Sequence, residues 1–558
     1  MSTNYAAHVS AKKTPQSEQA RADQVQNSAG GYAFALDPWK RLDRWLVLGA
    51  EGGTYYATER ALVKSNATTI ADCLRLDPKR AVDRIAEMSD TGRIPKNDTA
   101  IFALALAAAS DSEEARRHAY AAVPKVCRIG THVMHFARAV EQMRGWGRGL
   151  RRAVAKWYTD QGPADLAHQV AKYQQRDGWS NRDLLRLSHA VPPSDEHNAI
   201  FRWCVGGLEA FDRETKKGKA PSGFALPRAI LALEEAKRAK DEATIVRLIR
   251  EDRLTHEMVP SEWKNSAAVW EALLEHMPIG AMVRNLGKMS AVGLLKPLSS
   301  ASRTVAERLG DRDRIKKARL HPIAILSALK TYQQGHGQRG SLRWTSVPQV
   351  TDALDAAFYL AFDAVTPAGK RTLIALDVSG SMDGGEIAGV PGLTPRIGSA
   401  AMAMVLAKTE PAHHCVGFTS AHGRWGGYGG RWGGGEAGLT PIDLSRRKSL
   451  DDVIRAVAAM PMGGTDCALP MTWAAANKIE VDTFTIWTDS ETWHGQVHPY
   501  QALKLYRDAM GIPAKLVVVG MVANEFTIAD PNDGGMLDVV GFDTAAPSIL
   551  ADFSRGEV

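Results

Sequence analysis

The segment Leu373–Ser381 reads Leu-Ile-Ala-Leu-Asp-Val-Ser-Gly-Ser, and it is the clearest indication of the fold of the C-terminal part. Its leading apolar residues predict a buried strand that stops at an acid. Two hydroxyls follow in alternate positions, so Asp377, Ser379 and Ser381 can direct their oxygen atoms at one point. Oxygen ligands are those that Mg²⁺ and other hard divalent cations prefer. The segment therefore predicts a strand whose carboxyl end holds a metal ion.

Around this segment, from Gly369 onwards, short apolar runs alternate with helical stretches. Such alternation predicts a parallel, Rossmann-like sheet with helices on both faces. In that architecture ligands bind at the carboxyl ends of the strands. The predicted strands are Thr372–Asp377, Cys415–Phe418, Thr483–Thr488 and Lys515–Met521. The predicted helices are Ile397–Thr409, Leu450–Ala459, Ala468–Asn477 and Pro499–Met510.

Two further loops supply oxygen atoms at the same edge of the predicted sheet. Gly463-Gly464-Thr465-Asp466 precedes a predicted helix and offers another hydroxyl, and Asp489 ends a predicted strand. Acids and hydroxyls on three neighbouring loops would form one oxygen cage for a divalent ion. Mg²⁺ is expected there, with Mn²⁺ or Ca²⁺ as alternatives. The alternative interpretation is that Asp377 and the serines cap the following helix.

The residues from about 35 to 365 show helical periodicity, and strand-like alternation is scarce. Leu226, Ile230 and Leu233 recur at helical spacing, and short breaks that contain Pro and Gly, such as Lys219–Gly223, separate the segments. Many amphipathic helices without strands are typical of an α-solenoid or a ring of helix pairs.

The net charge of +7 is unevenly distributed. From Gly369 to the C-terminus the chain has 15 Lys and Arg against 21 Asp and Glu, and the totals of 69 and 62 leave 54 and 41 before that point. The first part therefore carries a net charge of +13. Such a balance favours a polyanionic partner such as nucleic acid, and an ordinary solvated surface is the alternative.

At 558 residues the chain is too long for one hydrophobic core. We predict a disordered polar tail over residues 1–30, a helical region over 31–368 and a sheet domain over 369–558. We expect no secretory leader, since the first residues are polar, and no membrane span, since the longest apolar run, Ile101–Ala109, is too short. Five scattered cysteines without a CxxC pair favour a reducing compartment. A cytoplasmic location is therefore expected, and the protein is expected to be a monomer.

The pattern of Asp377, Ser379, Ser381, Thr465 and Asp489 resembles the metal-ion-dependent adhesion site of the von Willebrand factor A domain. The resemblance implies that the hydroxyls bind the metal directly and that the acids often act through water. One coordination position stays open in that family, which implies a carboxylate-bearing protein partner. Such a site binds ligands and does not turn over a substrate.

The helical part resembles the TROVE module of Ro ribonucleoproteins in segments that are spread over its length. These segments are Gly49–Tyr56, Val126–Ile129, Trp146–Arg151, Leu254–Met258, Arg284–Met289 and Ala318–Pro322. Further matches follow at Gly463–Met471, Thr488–Thr492 and Phe526–Pro531. The similarity covers about residues 35 to 555 in order, so the chain resembles a bacterial-type member of the Ro family.

The resemblance implies a ring of HEAT-like helix pairs that is closed by the von Willebrand factor A domain. The central hole of that ring is expected to take single-stranded 3′ ends of misfolded or immature non-coding RNA, including ribosomal RNA. The basic outer surface is expected to bind Y RNA, through which bacterial relatives tether polynucleotide phosphorylase. The resemblance thus implies a scaffold for RNA quality control that is not itself an enzyme.

In the Ro family, the positions that match Lys172, Arg176 and His189 contribute to Y RNA binding. Lys172 and Arg176 are four residues apart, so on a helix they would share one face and suit phosphate contacts. A structural role is the alternative for His189, and an ordinary solvated helix face is the alternative for the other basic candidates. Those candidates are Arg148, Arg151, Arg186, Arg284 and Lys288.

The segment Gly423–Gly435 departs from the family pattern, since it is longer and richer in glycine. Its Arg, Trp and Tyr side chains suit stacking, so it is interpreted either as a mobile arm for single-stranded RNA or a partner, or as a disordered surface insertion.

No HExxH, P-loop or GxSxG pattern indicates an active site. Two alternatives to an RNA-binding scaffold stay open from the sequence. One is a metal-dependent protein–protein adaptor whose helices do not bind RNA, and the other is a metal-dependent hydrolase.

Overall fold

The structure, a computed structural model, describes residues 13–49, 59–216, 225–337, 341–362, 365–420, 438–444 and 448–557, and only the backbone of residues 59–67 and 210–216. The chain divides into two compact units. One consists of Met1–Thr69 with Phe362–Val558, and we call it the sheet unit. The other, Ile70–Ala361, is inserted into the sequence of the first, and we call it the helical unit.

The α-helices of the described residues are α1 Pro38–Leu48, α2 Glu59–Leu76, α3 Pro78–Asp90, α4 Asn97–Ala109, α5 Glu113–Val126, α6 Gly130–Arg144, α7 Arg148–Thr159, α8 Pro163–Lys172, α9 Asn181–Ser188, α10 Asp195–Lys216, α11 Arg228–Ala236, α12 Glu242–Asp252, α13 Ala267–His276, α14 Ile279–Ala291, α15 Ser300–Leu309, α16 Arg312–Lys317, α17 Pro322–Gln334, α18 Pro348–Leu360, α19 Pro395–Thr409, α20 Leu450–Ala458, α21 Leu469–Ala476, α22 Pro499–Met510 and α23 Ala546–Arg555. The strands are β1 Gln24–Gln26, β2 Tyr32–Ala35, β3 Gln175–Arg176, β4 Trp179–Ser180, β5 Thr372–Asp377, β6 His413–Phe418, β7 Leu439–Pro441, β8 Thr483–Thr488, β9 Lys515–Gly520, β10 Phe526–Thr527 and β11 Met536–Val540.

The sheet unit is built on a six-stranded sheet in the order β11-β9-β8-β5-β6-β7. All neighbouring strands are parallel except β7, which runs antiparallel to β6 at one edge. β5 and β8 are buried along their whole length, as central strands of a parallel sheet are. The predicted α/β architecture is confirmed, although the sequence reading missed the two edge strands β7 and β11.

Apolar side chains of the helices cover the central strands. Phe484 of β8 and Leu503 and Tyr506 of α22 belong to one buried cluster, and the rings of Phe484 and Tyr506 meet edge to face at 4.8 Å. Helix α19 contacts β5 and β8 and is buried along most of its length. Full burial of such a side chain contributes roughly 1.5–3 kcal/mol. This packing fixes the carboxyl ends of β5 and β8, where the predicted metal ligands lie.

The predicted disordered tail over residues 1–30 is wrong for residues 13–30, which are folded. β1 pairs antiparallel with β2, and β2 pairs in turn with β10 of the sheet unit. Gln16, Gln24 and Asn27 are buried. The polar composition misled the prediction because amide side chains can be buried when they are hydrogen-bonded. Residues 1–12 lie outside the described residues.

Helix α1 is anchored in the sheet unit by a buried ion pair. The Arg44 side chain is fully buried, and its Nη2 lies 2.6 Å from Oδ2 of Asp538, whose side chain is also buried. Arg44 Nη1 donates to Oδ1 of Asn524 and to the carbonyl of Phe526, each at 2.9 Å. A Cβ at Gly520 would lie 2.4 Å from the guanidinium carbon, so the close approach of Arg44 to β9 requires a glycine.

The helical unit is a series of packed helices, as predicted, but residues 31–69 of the predicted helical region 31–368 belong to the sheet unit instead. Each helix near the start of the series packs against the second helix along, so that α3 contacts α5, α4 contacts α6 and α5 contacts α7. Packing of this kind is typical of stacked helical repeats. Among the described residues, no helix combines the length and apolar character that a membrane crossing requires.

The end of this series returns to its beginning. Arg319, which follows α16, donates to the backbone carbonyl of Asp90 and, at 2.7 Å, to its carboxylate at the end of α3. The Nε2 atom of His321 lies 3.1 Å from the carbonyl oxygen of Arg93. Gly92 has a φ of +78°, and a Cβ there would lie 2.8 Å from Cβ of Arg319. The helical unit thus closes on itself through contacts between residues that are distant in sequence.

Replacing Arg44 with Met should lower the free energy of unfolding by about 3–5 kcal/mol, because Asp538 is left as an uncompensated buried charge. Urea unfolding followed by circular dichroism measures this loss. Arg455 is a matched control, since its side chain is exposed and pairs with Asp452 on the surface of α20. Arg455→Met should have little effect, and an Arg44→Met loss no larger than that of the control would contradict the anchoring role.

Candidate functional site

The predicted metal ligands lie on three loops at the carboxyl edge of the sheet. Asp377 ends β5, Ser379 and Ser381 lie in the turn that follows, Thr465 lies before α21, and Asp489 follows β8. β5 and β8 are neighbouring parallel strands, so their ends meet at one edge. All of these side chains are buried. The structure therefore brings the residues that the sequence singled out to one place.

Hydrogen bonds define the first of these loops. Asp377 Oδ1 accepts from the backbone N–H of Ser379 at 2.9 Å, and Oδ2 accepts from the hydroxyl of Thr488 at 2.6 Å. The hydroxyls of Ser379 and Ser381 lie 3.0 Å apart. These bonds fix the carboxylate and both hydroxyls in one small volume.

Thr465 carries the feature that points most directly to a ligand. Its hydroxyl is buried and has no hydrogen-bond partner within the part of the chain that the structure describes. Its loop is held beside the first loop, because the backbone N–H of Gly380 donates to the carbonyl of Gly463 at 3.3 Å. A buried hydroxyl without a partner costs about 1–3 kcal/mol. A cation bound to Thr465 would satisfy that oxygen atom.

Two carboxyl groups are buried together at this site. Burial raises the pKa of Asp489 to about 8, and the charges of Asp377 and Glu491 add to the increase. Burial also raises the pKa of Asp377, against the hydrogen bonds from Ser379 and Thr488. A divalent cation at the site would stabilise both groups in the ionised form. The donor set therefore fits a hard divalent ion.

The alternative in which the serines cap a helix does not describe this loop. Ser379 precedes the short 3-10 turn Gly380–Asp383, but its side chain makes no capping hydrogen bond to that turn. Across the described ranges, no group of three or more His, Cys, Asp or Glu side chains is arranged to hold a metal. The hydroxyl-rich cage is accordingly the candidate metal centre.

The predicted helical face shared by Lys172 and Arg176 is wrong. Helix α8 ends at Lys172, and Arg176 lies in β3, which forms a hairpin with β4. The turn of that hairpin is Asp177-Gly178, with φ values of +53° and +82°. Asp-Gly is a favoured two-residue hairpin sequence. The sequence therefore contained a signal for this turn, and the chain forms the turn in place of the helix that the spacing predicted.

Lys172 and Arg176 also have different surroundings. The Lys172 side chain is 14% exposed; its Nζ lies 3.7 Å from a Glu257 oxygen and 5.0 Å from the ring centroid of Tyr173. The Arg176 side chain is 56% exposed, and its Nε lies 3.3 Å from Nε2 of His135. Arg176 is therefore open to a phosphate from solvent, whereas Lys172 is mainly engaged within the protein.

Arg186 and His189 line a cleft of about 1080 Å³ in the helical unit. Both residues are exposed, and His189 ends α9 in the left-handed conformation, with a φ of +53°. Among the described residues that line the cleft, Glu234 is the one acidic side chain. The cleft is therefore basic. The other cationic residues that line it are Arg182, Arg202 and Lys237.

Sequence analysis missed these three residues. Arg182 could have been found, because it lies four residues before Arg186 on α9 and so shares its face. Arg202 and Lys237 come from α10 and from the end of α11. No local spacing indicates that these helices meet beside α9, so the cleft depends on tertiary packing.

Arg148 and Arg151 are exposed on α7, next to an aromatic pair. Trp146, just before α7, stacks on Trp179 of β4 with ring centroids 5.3 Å apart and an interplanar angle of 15°. Arg176 pairs directly with Trp179 across the hairpin. Cations and half-buried indole rings thus lie together here, a combination suited to nucleotides.

Arg284 and Lys288 lie four residues apart on α14, as their spacing predicts. Arg284 is exposed, whereas Lys288 is half-buried and donates to Oδ1 of Asn265 at 2.7 Å. The proposed Gly423–Gly435 arm and all but Gly49 of the Gly49–Tyr56 signature lie outside the described residues.

Comparison with known proteins covers both units. The TROVE domain model matches residues 25–331, and the Ro60 vWA domain model matches residues 371–554. The chain is 40% identical over 546 residues to the RNA-binding protein RO60 of Deinococcus radiodurans, with 98% of each chain covered. It is 33% identical over 616 residues to the RNA-binding protein RO60 of Caenorhabditis elegans, and the match covers 98% of this chain and 92% of that protein.

A solved structure agrees with these matches. The crystal structure of the Deinococcus radiodurans RO (RSR) protein is similar, with a TM-score of 0.65 and 38% identity, and the match covers 94% of this chain and all of that one. The fold of both units thus indicates the same family as the two sequence matches do, over nearly the whole chain. The chain belongs to the Ro60 family of TROVE and von Willebrand factor A domain proteins, and it is a bacterial-type Ro protein.

Proposed function

We propose that the protein is an RNA-binding scaffold for RNA quality control. The observation that carries this proposal is the basic cleft of the helical unit. Its described lining contains one acidic residue, Glu234, and four cationic residues from three helical segments, which are Arg182, Arg186, Arg202 and Lys237. A cleft of this charge suits the phosphates of an RNA backbone. Two relatives that match almost the whole chain are RNA-binding proteins by name.

The surroundings of the cleft support contact with bases as well as phosphates. Ser180 of the cleft lining is the last residue of the hairpin that bears Arg176 and Trp179, and Arg182 lies two residues further on. Trp146 Nε1 donates to the carbonyl of Leu187 at 2.9 Å, which ties the stacked indole pair to α9. Unpaired bases bind proteins by stacking on aromatic rings beside cations.

Membership of the Ro family supports more specific partners. We propose Y RNA as the ligand of this basic surface, and single-stranded 3′ ends of misfolded or precursor RNA, including ribosomal RNA, as cargo of the helical unit. Polynucleotide phosphorylase would associate through Y RNA, in the cytoplasm, and the protein itself would be a monomer without nuclease activity.

We further propose that the candidate metal centre binds Mg²⁺, with Mn²⁺ or Ca²⁺ as alternatives. Ser379, Ser381 and Thr465 would hold the ion through their hydroxyls, and Asp377 and Asp489 would balance its charge. The ion would offer a coordination position to a carboxylate of a protein partner. The hydroxyl ligands favour binding over catalysis, since they leave little spare basicity at the ion, and the described residues contain no acid cluster for a second metal.

Replacing Arg182 and Arg186 with Ala should weaken RNA binding and lower the slope of log affinity against log salt by about one to two, because each lost phosphate contact removes about 0.7–0.9. Filter-binding titrations with single-stranded RNA and Y RNA at several salt concentrations measure this. Arg314→Ala/Lys317→Ala on α16 is the matched control, since both residues are exposed and neither lines the cleft. Equal slopes for both double variants would show that the cleft does not hold the RNA, whereas a wild type that binds neither RNA would favour the adaptor.

Mg²⁺ should raise the melting temperature of the protein, because an ion that binds only the folded state stabilises it. Thr465→Val should abolish most of that increase while leaving the metal-free protein at least as stable, since it removes a hydroxyl without a partner. Asp377→Ala should abolish the increase as well, and Asp508→Ala, an exposed acid on α22, should leave it intact. Thermal unfolding with and without Mg²⁺ checks each variant, and an unchanged response in Thr465→Val would refute the metal centre.

Incubation of labelled RNA with the protein and Mg²⁺ should leave the RNA intact, because hydroxyl ligands leave little spare basicity at the ion to activate water. Gel electrophoresis over several hours is the measurement. Cleavage that disappears in Asp377→Ala would support the hydrolase instead, whereas cleavage that persists in this variant would indicate a contaminating nuclease.

A further inference from the structure

Residues 13–36, which we call the N-terminal strap, lie against the loops of the candidate metal centre. The strap is held in the sheet unit by the β1–β2 hairpin and by the pairing of β2 with β10. Its side chains and backbone contact both the loop that carries Thr465 and the loop that begins at Asp489. The strap comes from the opposite end of the sequence to the loops that it contacts.

Gln16 makes the central contact. Its side chain is fully buried, and Nε2 donates to Oδ1 of Asp466 at 2.8 Å. Its Oε1 accepts from the hydroxyl of Thr492. Asp466 is adjacent to Thr465, and Thr492 lies three residues after Asp489. One amide group thus joins the two loops that carry Thr465 and Asp489.

Backbone groups around Gln16 hold its side chain in this position. The N–H of Gln16 donates to the carbonyl of Gly495 at 2.8 Å, and Nε2 also donates to the carbonyl of Val497 at 2.8 Å. A Cβ at Gly495 would lie 2.3 Å from both Oδ1 of Asp466 and Nε2 of Gln16. Glycine at this position therefore permits the amide to reach Asp466.

The rest of the strap holds the second loop. Asn27 Nδ2 donates to the carbonyl of Thr492 at 2.8 Å, and the N–H of Ala29 donates to Oε2 of Glu491 at 3.2 Å. The same loop holds the backbone of Thr465, whose carbonyl accepts from the N–H groups of the two residues that follow Thr492, at 3.2 and 3.1 Å. A displacement of this loop would therefore move Thr465 relative to Asp489.

We propose that the strap positions the metal centre, with Gln16 as the positioning residue that sets the distance between Thr465 and Asp489. The inference rests on the metal binding proposed above and adds to it a requirement for the N-terminus of the chain. Groups that orient metal ligands without touching the metal commonly change metal affinity by about 10–100-fold when they are removed. Metal binding at the sheet would then depend on whether residues 13–36 are docked.

The test uses the full-length chain and Mn²⁺ alone, with free Mn²⁺ followed by electron paramagnetic resonance. Gln16→Ala should weaken Mn²⁺ binding by about 10-fold or more. Gln16→Glu keeps the shape of the side chain but sets a second carboxylate against Asp466, and it should weaken binding at least as much. Gln26→Ala is the matched control, because Gln26 lies in the same strap, is exposed and donates to the carbonyl of Gly30 within the strap. Its affinity should equal that of the wild type.

Hydrogen exchange of the metal-free protein gives an independent measure. Peptides that cover residues 463–468 and 489–497 should exchange faster in Gln16→Ala than in Gln26→Ala. Equal exchange rates, or a Gln16→Ala affinity within twofold of the wild type, would overturn the positioning role. Failure of the wild type itself to bind Mn²⁺ would instead overturn the metal centre and this inference with it, so the two failures are distinguishable.

Discussion

The buried ion pair between Arg44 and Asp538 is the constraint on which the sheet unit depends. It joins α1, near the start of the chain, to β11, near its end, at a point where both charges are shielded from water. A buried charge is tolerated only with its partner in place, so α1 and β11 have one relative position. That position places the strap beside the metal loops and makes the N-terminus part of a domain that is otherwise C-terminal.

Two buried titratable groups also lie at the carboxyl edge of the sheet, but there both are acids. Arg44 and Asp538 neutralise each other, whereas Asp377 and Asp489 are buried side by side. Their raised pKa values express the cost of that arrangement in the protein alone. The buried hydroxyl of Thr465, which has no hydrogen-bond partner among the described residues, adds to that cost. Binding of a cation is the process that would relieve both.

Sequence patterns predicted those parts of the protein whose signals are local. The β5 segment and its acid, the hydroxyls at 379, 381 and 465, and the division between helices and sheet all follow from residues close together in the chain. Lys172 and Arg176 were misplaced because helical spacing was applied across the Asp177-Gly178 turn. Gln16 and Asn27 were assigned to a tail because their partners, Asp466 and Thr492, lie more than 400 residues away. Arg202 and Lys237 were missed for the same reason, since packing of separate helices brings them to the cleft.

The contact between Arg319 and Asp90 has a consequence for how the helical unit comes apart. An open stack of repeats has two terminal members that pack on one side only, and these are the usual places for unfolding to begin. A stack whose last members touch its first has no such exposed terminus. Opening of this unit between its last and first members has to break a junction that combines the exposed Arg319–Asp90 ion pair with the buried His321. Because salt screens an exposed ion pair, ionic strength contributes to how readily this part of the molecule opens.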